Sequence, residues 1–173
     1  MQAKHQILVP VDGSDFSRQI IPYIREFFGP AENEVTLLRV GERPAGHIGG
    51  PERPVAPESD IVTFGSSQQT AEALHPIYAS QELASAAAEM TPFLQSIAHE
   101  LEDVGYTVHT AIRFKHESGP AIVAYIDNHD VDLVAMTTHW RTGLGKLIFG
   151  SVAQYVAQHV NIPIVMVKPM AEV

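Results

Sequence analysis

The chain lacks cysteine, is poor in charged residues and has no long apolar run, and each of these absences removes a class of structure. Without cysteine in 173 residues, it has no disulfide, no thiolate metal site and no cysteine nucleophile. No apolar run approaches the ~20 residues of a membrane-spanning helix. The apolar stretch that ends at Pro10 is too short for a secretory signal. We therefore expect a cytoplasmic protein without a membrane partner.

Basic residues are scarce as well. The chain has 11 Lys and Arg against 20 Asp and Glu, which gives a net charge of −9. Such a balance argues against a nucleic-acid partner, because that binding depends on neutralising phosphates. Hydrophobic residues make up 45% of the chain, and its length fits one domain. The composition predicts a single globular domain over residues 1–173.

Apolar runs that suit strands alternate along the chain with segments of helical periodicity. The predicted strands are residues 5–11, 34–40, 106–114, 130–136 and 162–167. The predicted helices are residues 15–28, 81–104, 118–129 and 149–159. This alternation predicts an α/β fold with a doubly wound parallel sheet. Ligands of such sheets sit beyond the carboxyl ends of the strands, where the strand order reverses.

Local signals refine this outline. Ser14 or Asp15 is expected to cap the first helix, Pro92 to kink or interrupt the second, and Gly105 to end it. Residues from about 41 to 80 are rich in glycine and proline and show no periodicity. We expect them to form a long irregular insertion within the same domain, because they have too few apolar residues for a core of their own.

The loop from Thr137 to Ser151 is the best candidate for a binding site. It follows a predicted buried strand and precedes a predicted helix, and the unpaired N–H groups at a helix start attract anions. Arg141 and Lys146 add local positive charge. Asp12 ends the first strand, so it meets this loop if the first and fourth strands are neighbours.

Three segments resemble the universal stress protein family. They are Ile7-Leu-Val-Pro-Val-Asp-Gly-Ser14, the stretch from Asp132 through His139 to Ala153, and Ile162-Pro-Ile-Val-Met-Val-Lys168. The resemblance implies five parallel strands in the order 3-2-1-4-5 with helices on both faces. It also implies a homodimer that pairs through the last strand, from Ile162 to Val167.

The resemblance further implies an adenine-nucleotide site. Asp12 is expected at the ribose or base edge and Val40 in the adenine pocket, with Gly150, Ser151 and Val152 at the phosphates. The remaining residues assigned to this site are Pro10, Val11, Thr137, His139 and Arg141. The expected ligand is ATP or another adenine nucleotide, with or without Mg²⁺.

Two glycines of the family's ATP-binding motif are replaced here, the first by Thr137 and the second by Trp140. Threonine resists positive φ and fills space beside a ribose. Tryptophan is the more severe change wherever a backbone must approach a phosphate closely. Its indole either turns outward or stacks on a base, and the sequence leaves both open.

Two functions therefore remain. The first is a homodimeric stress-response protein that binds an adenine nucleotide weakly, as a sensor. The alternative is an interaction scaffold that binds no nucleotide, in which Asp12 is only a turn residue and the Gly150-Ser151 pair only a helix start. We expect no enzyme, or at most very slow ATP hydrolysis, since the chain has no Walker loop. We also expect no metal site, because the histidines lack metal-ligand spacing.

Overall fold

The structure is a computed structural model that describes residues 3–42, 61–64, 78–138, 141–143, 146–148 and 150–168. Its strands are β1 (His5–Val11), β2 (Asn33–Gly41), β3 (Ile61–Phe64), β4 (Thr107–Phe114), β5 (Leu133–Thr137), β6 (Arg141–Gly143), β7 (Lys146–Ile148) and β8 (Ile164–Val167). Its helices are α1 (Asp15–Arg18), α2 (Ile21–Phe27), α3 (Tyr78–Glu102), α4 (Ser118–Asp127) and α5 (Ser151–His159).

The predicted parallel sheet is confirmed. Strands β4, β2, β1, β5 and β8 lie side by side in that order and all pair in parallel, which is the expected order 3-2-1-4-5. β1 occupies the centre, and Ile7, Leu8 and Val9 are each at most 1% exposed. A strand covered on both faces is apolar at consecutive positions, which is why β1 shows no alternation of polar and apolar residues.

The insertion adds a sixth strand that the sequence analysis missed. β3 pairs antiparallel with β4, so that Ile61 lies opposite Arg113 and Phe64 opposite Thr110. Residues 61–64 are therefore regular, whereas the irregular insertion expected over about 41–80 stays a prediction for the rest of the segment. Four residues are too few to show a period, and it is the unpaired backbone edge of β4 that organises them into a strand. Residues 43–60 and 65–77 lie outside the described part.

The first predicted helix is divided into α1 and α2. Ser14 is the N-cap, because its side chain accepts a hydrogen bond from the N–H of Ser17 at 3.2 Å, which decides between Ser14 and Asp15. The division has a physical cause in Pro22, which stands in the first turn of α2. Proline has no N–H to donate to the carbonyl four residues earlier, so a continuous helix across this point is disfavoured.

Pro92 does not interrupt α3, which runs unbroken through it for 25 residues from Tyr78. The glycine expected to end this helix does so: Gly105 has φ +98°. Its N–H donates to the carbonyl of Glu102 at 2.9 Å, and the next N–H, of Tyr106, donates to Leu101 at 3.1 Å. These bonds use carbonyls that the helix end leaves without partners.

Helices cover both faces of the sheet, as predicted. The side chains of α2 and α3 join one core cluster with Val9 and Leu37, whereas those of α4 and α5 join the other with Leu8 and Leu38. α4 and α5 approach closely at Gly119, where a Cβ would lie 2.9 Å from Tyr155 Cδ1. No helix in the described part of the chain is long and apolar enough to cross a membrane.

The left-handed backbone at Gly105 generates the first prediction. Gly105→Ala is expected to lower the free energy of unfolding by about 1–2 kcal/mol, because a Cβ is disfavoured at positive φ. Gly29→Ala is the matched control, since Gly29 is exposed and no atom lies within 4 Å of its added Cβ. Urea unfolding of both variants measures the difference. If the Gly105→Ala and Gly29→Ala variants are equally stable, the backbone at position 105 does not require glycine.

Candidate functional site

A cavity of about 600 Å³ opens at the carboxyl ends of β1, β2 and β5. The amino ends of α4 and α5 form its other side. Its lining residues are Pro10, Val11, Asp12, Ser17, Leu38, Val40, Ser118, Ile122, Met136, Thr137, Thr138, Gly150, Ser151, Val152 and Ala153. The cavity lies at the ends of the neighbouring strands β1 and β5, after which the chain passes to helices on opposite faces of the sheet. Doubly wound sheets bind ligands at this position.

Eight of the ten predicted site residues line this one cavity: Pro10, Val11, Asp12, Val40, Thr137, Gly150, Ser151 and Val152. Asp12 and Thr137 line the same cavity because Asp12 follows β1 and Thr137 ends β5, and these two strands are paired neighbours. His139 and Trp140 lie outside the described residues. Arg141 begins β6, which pairs antiparallel with β7, so the predicted loop contains two short strands; the position of its side chain is not described.

The other lining residues escaped the sequence analysis: Ser17, Leu38, Ser118, Ile122, Met136, Thr138 and Ala153. The two-residue period of a strand was an available signal for one of them, because Leu38 shares a face of β2 with the predicted site residue Val40. Ser118 stands at the start of α4, so the helix boundary alone placed it near the carboxyl ends of the strands.

Asp12 has a defined structural role in the turn after β1. Its Oδ1 accepts hydrogen bonds from the N–H of Ser14 at 2.9 Å and from the Ser14 hydroxyl at 2.5 Å. Gly13, between Asp12 and Ser14, has φ +87°. A Cβ added to Gly13 would lie 2.5 Å from the guanidinium of Arg39. Asp12 is therefore a turn residue, and the same turn fixes its carboxylate at the rim of the cavity.

The amino end of α5 presents backbone donors. Gly150 is the N-cap, and no hydrogen bond from a side chain caps this helix in the described part of the chain. The N–H of Gln154 donates the first helical hydrogen bond, to the carbonyl of the N-cap Gly150 at 2.9 Å. The N–H groups of Ser151, Val152 and Ala153 therefore precede the helical ladder, and they carry the positive end of the helix dipole.

α4 brings a second helix start to the same cavity through Ser118. Its N-cap, Glu117, makes no capping hydrogen bond with its side chain, and neither α4 nor α5 has an acidic residue in its first turn. The amino end of α5, whose N-cap is Gly150 and whose first turn has no acidic residue, gives its side of the cavity a positive character. α4 differs, because its N-cap is the acidic Glu117. An oxygen-rich or anionic group is the ligand chemistry that this electrostatic arrangement favours.

A large part of the wall is apolar, through Pro10, Leu38, Val40, Ile122 and Met136. Behind this wall, Tyr125 stacks against the guanidinium of Arg113, whose Cζ lies 5.0 Å from the ring centroid. Burial raises the pKa of Tyr125, an effect that the positive charge of Arg113 partly offsets. The phenol therefore stays neutral near pH 7.

Within the described residues, no three His, Asp or Glu side chains converge as a metal site. The fold and the cavity thus define an α/β protein whose site combines an apolar wall with helix-end donors. The universal stress protein family model matches residues 4–168, and the chain belongs to this family.

Two curated relatives come from Methanocaldococcus jannaschii. Universal stress protein MJ0577 is 35% identical over 77 residues, which is 43% of this chain and 46% of that protein. The chain thus spans less than half of that relative's length in this match. Universal stress protein MJ0531 is 26% identical over 165 residues, or 94% of this chain and 81% of the relative.

Solved structures share the fold. The structure of MJ0577 superposes with a TM-score of 0.64 at 24% identity, covering 96% of this chain and 97% of the other. A universal stress protein in complex with cAMP has a TM-score of 0.57 at 14% identity, with coverage of 98% and 100%. An Arabidopsis thaliana member with AMP bound has a TM-score of 0.56 at 14% identity, with coverage of 96% and 93%.

The hydrogen bonds of Asp12 generate the second prediction. Asp12→Ala is expected to lower the free energy of unfolding by about 1 kcal/mol, because the turn loses both bonds to Ser14. Asp12→Asn keeps an acceptor oxygen at the same place and is expected to cost less. Thermal and urea unfolding of the two variants test this order. A wild-type stability for Asp12→Ala would show that the turn does not depend on the carboxylate.

Proposed function

We propose that this chain is a cytoplasmic, homodimeric stress-response protein that binds an adenine nucleotide weakly and acts as a sensor rather than as an enzyme. The observation that carries the proposal is the single cavity shared by Asp12, Val40 and the amino end of α5. Those residues come from three separate elements, and the fold gathers them at the position where related sheets bind ligands.

Each part of an adenine nucleotide has a matching surface in the cavity. The apolar wall around Val40 suits the flat base, since burying ring surface is favourable. Asp12 offers a carboxylate at the rim, which suits ribose hydroxyl donors. The backbone donors of Ser151 and Val152 suit phosphate oxygens. The relatives with cAMP and AMP support the same class of ligand.

The expected weakness of binding follows from Thr137. It lines the cavity at the end of β5, where the ATP-binding members of the family carry glycine. Its Cβ and branched side chain take up space that glycine leaves to the ligand, and its backbone resists positive φ. These effects reduce the fit without removing the donors of α5.

Calorimetric titration with AMP, ATP and cAMP, each with and without Mg²⁺, tests the proposal. We expect saturable heat with a dissociation constant below about 1 mM, corresponding to about 4 kcal/mol. Phosphate release from ATP is expected to be at most very slow. Val40→Glu is expected to abolish the heat by placing a charge in the apolar wall, whereas Val40→Leu keeps that wall apolar. If the wild-type protein is folded but shows no heat with millimolar ligand, the nucleotide proposal is wrong.

Thr137 and Trp140, which replace the two glycines of the family's ATP-binding motif, favour the alternative function as an interaction scaffold. It predicts that the wild-type protein binds no nucleotide because tryptophan fills the phosphate end. In that case Trp140→Gly is expected to create binding, with Trp140→Phe as the control that keeps an aromatic ring. Unchanged ATP binding in Trp140→Gly contradicts this picture.

The homodimer is proposed to form through the last strand, from Ile162 to Val167. The four side chains of β8 are all half-exposed within one chain, and β8 lies at an edge of the sheet. An apolar edge strand is a template for pairing with another chain. A second copy placed there covers both its backbone edge and its apolar side chains.

Light scattering tests the homodimer against the chain mass of 18.9 kDa. We expect twice this mass at micromolar concentration, and a shift toward the monomer for Met166→Lys, because it places a charge in the edge strand. Gln158→Lys adds the same charge on exposed α5 and is expected to leave the dimer intact. Circular dichroism confirms that both variants are folded. A wild-type monomer at this concentration contradicts the proposed interface.

A further inference from the structure

Thr138 is a buried polar residue in the cavity wall for which the sequence analysis assigned no role. It is only 1% exposed, yet it contributes to the cavity lining. In the described part of the chain its Oγ1 has no hydrogen-bond partner. A buried hydroxyl without a partner destabilises a fold, so its presence in a cavity wall needs an explanation.

The backbone holds this side chain in a fixed orientation. The N–H of Thr138 donates to the carbonyl of Val167 at 2.9 Å, which extends the pairing of β5 with β8 by one residue. Side chains alternate along an extended chain, so Thr138 shares a face with Met136. Met136 packs in the core cluster that includes Ala153 and Val156 of α5. The Thr138 side chain is therefore on the α5 side of the sheet.

The same part of the cavity wall contains the free donors of α5. Gly150, Ser151 and Val152 line it, and the helix start has no side-chain cap among the described residues. The N–H groups of the helix N-terminus and the hydroxyl of Thr138 are all hydrogen-bond donors on one wall. A ligand group with several acceptor oxygens can bind all of them. A phosphomonoester is such a group, because its three non-bridging oxygens accept hydrogen bonds from different directions.

We propose that Thr138 is a ligand-contacting, specificity-determining residue whose hydroxyl donates a hydrogen bond to a phosphate oxygen of the nucleotide held at the amino end of α5. The inference rests on the proposed function and deepens it. It assigns the preference for a phosphorylated ligand over a bare nucleoside to one side chain. It also explains the orphaned hydroxyl, which gains its partner only when the ligand binds.

The test compares Thr138→Val with Thr138→Ser. Valine keeps the shape and removes the hydroxyl, whereas serine keeps the hydroxyl. Titration with AMP is expected to show at least a tenfold loss of affinity for Thr138→Val and only a small change for Thr138→Ser. Titration with adenosine, which has no phosphate, is expected to give the same affinity for all three proteins.

A stability measurement separates this role from a structural one. Without ligand, Thr138→Val is expected to melt at the wild-type temperature or above it, because an unsatisfied buried hydroxyl is replaced by a methyl group. A lower melting temperature shows that the hydroxyl already has a structural partner, and it overturns the inference.

The titrations distinguish the two levels of the proposal. Wild-type binding of AMP that is unchanged in Thr138→Val overturns the role of Thr138 and leaves the proposed function standing. Equal losses for AMP and adenosine place the contact on the nucleoside, which overturns the phosphate assignment. If the wild-type protein binds neither AMP nor adenosine, the proposed function fails and the role of Thr138 is overturned with it.

Discussion

The parallel pairing of β1 with β2 on one side and β5 on the other is the constraint on which the rest of the structure depends. Ile7 lies opposite Val35 on one neighbour and Leu133 on the other, so β1 is fixed at the centre of the sheet. Because the strands are parallel, their carboxyl ends share one edge. From β1 the chain passes to the helices on one face of the sheet, and from β5 it passes to α5 on the other face. The cavity lies between these two connections.

The fold was largely predictable because its parallel core depends on repeated local signals. Each strand and helix is predicted from its own periodicity, and their alternation indicates a parallel sheet. The order of the strands then follows from the family resemblance. What could not be predicted depends on contacts between distant segments. β3 is a strand only because the edge of β4, residues distant in sequence, supplies its partner. The break before α2 was visible in Pro22, whose missing N–H outweighs the helical spacing of its apolar neighbours.

The candidate site was predictable where a residue sits at the end of a strand or the start of a helix. Asp12, Thr137 and Gly150 are such residues, and the topology alone carries them to one edge. Ile122 and Ala153 were missed because they lie inside helices, and their place in the cavity depends on how α4 and α5 pack. That packing is set by Gly119, which lets Tyr155 approach to a distance that any larger residue would prevent.

The donors at the amino end of α5 do not depend on which residue stands at position 137. They are backbone N–H groups, which almost any sequence supplies once the helix starts at Ser151. Glycine on the strand side determines how closely a ligand approaches, but it supplies no donor that another residue lacks. Thr137 therefore alters the shape of the cavity and leaves its electrostatic character in place. Thr138, beside it, also lines the cavity, so the end of β5 contributes two neighbouring polar residues to the wall.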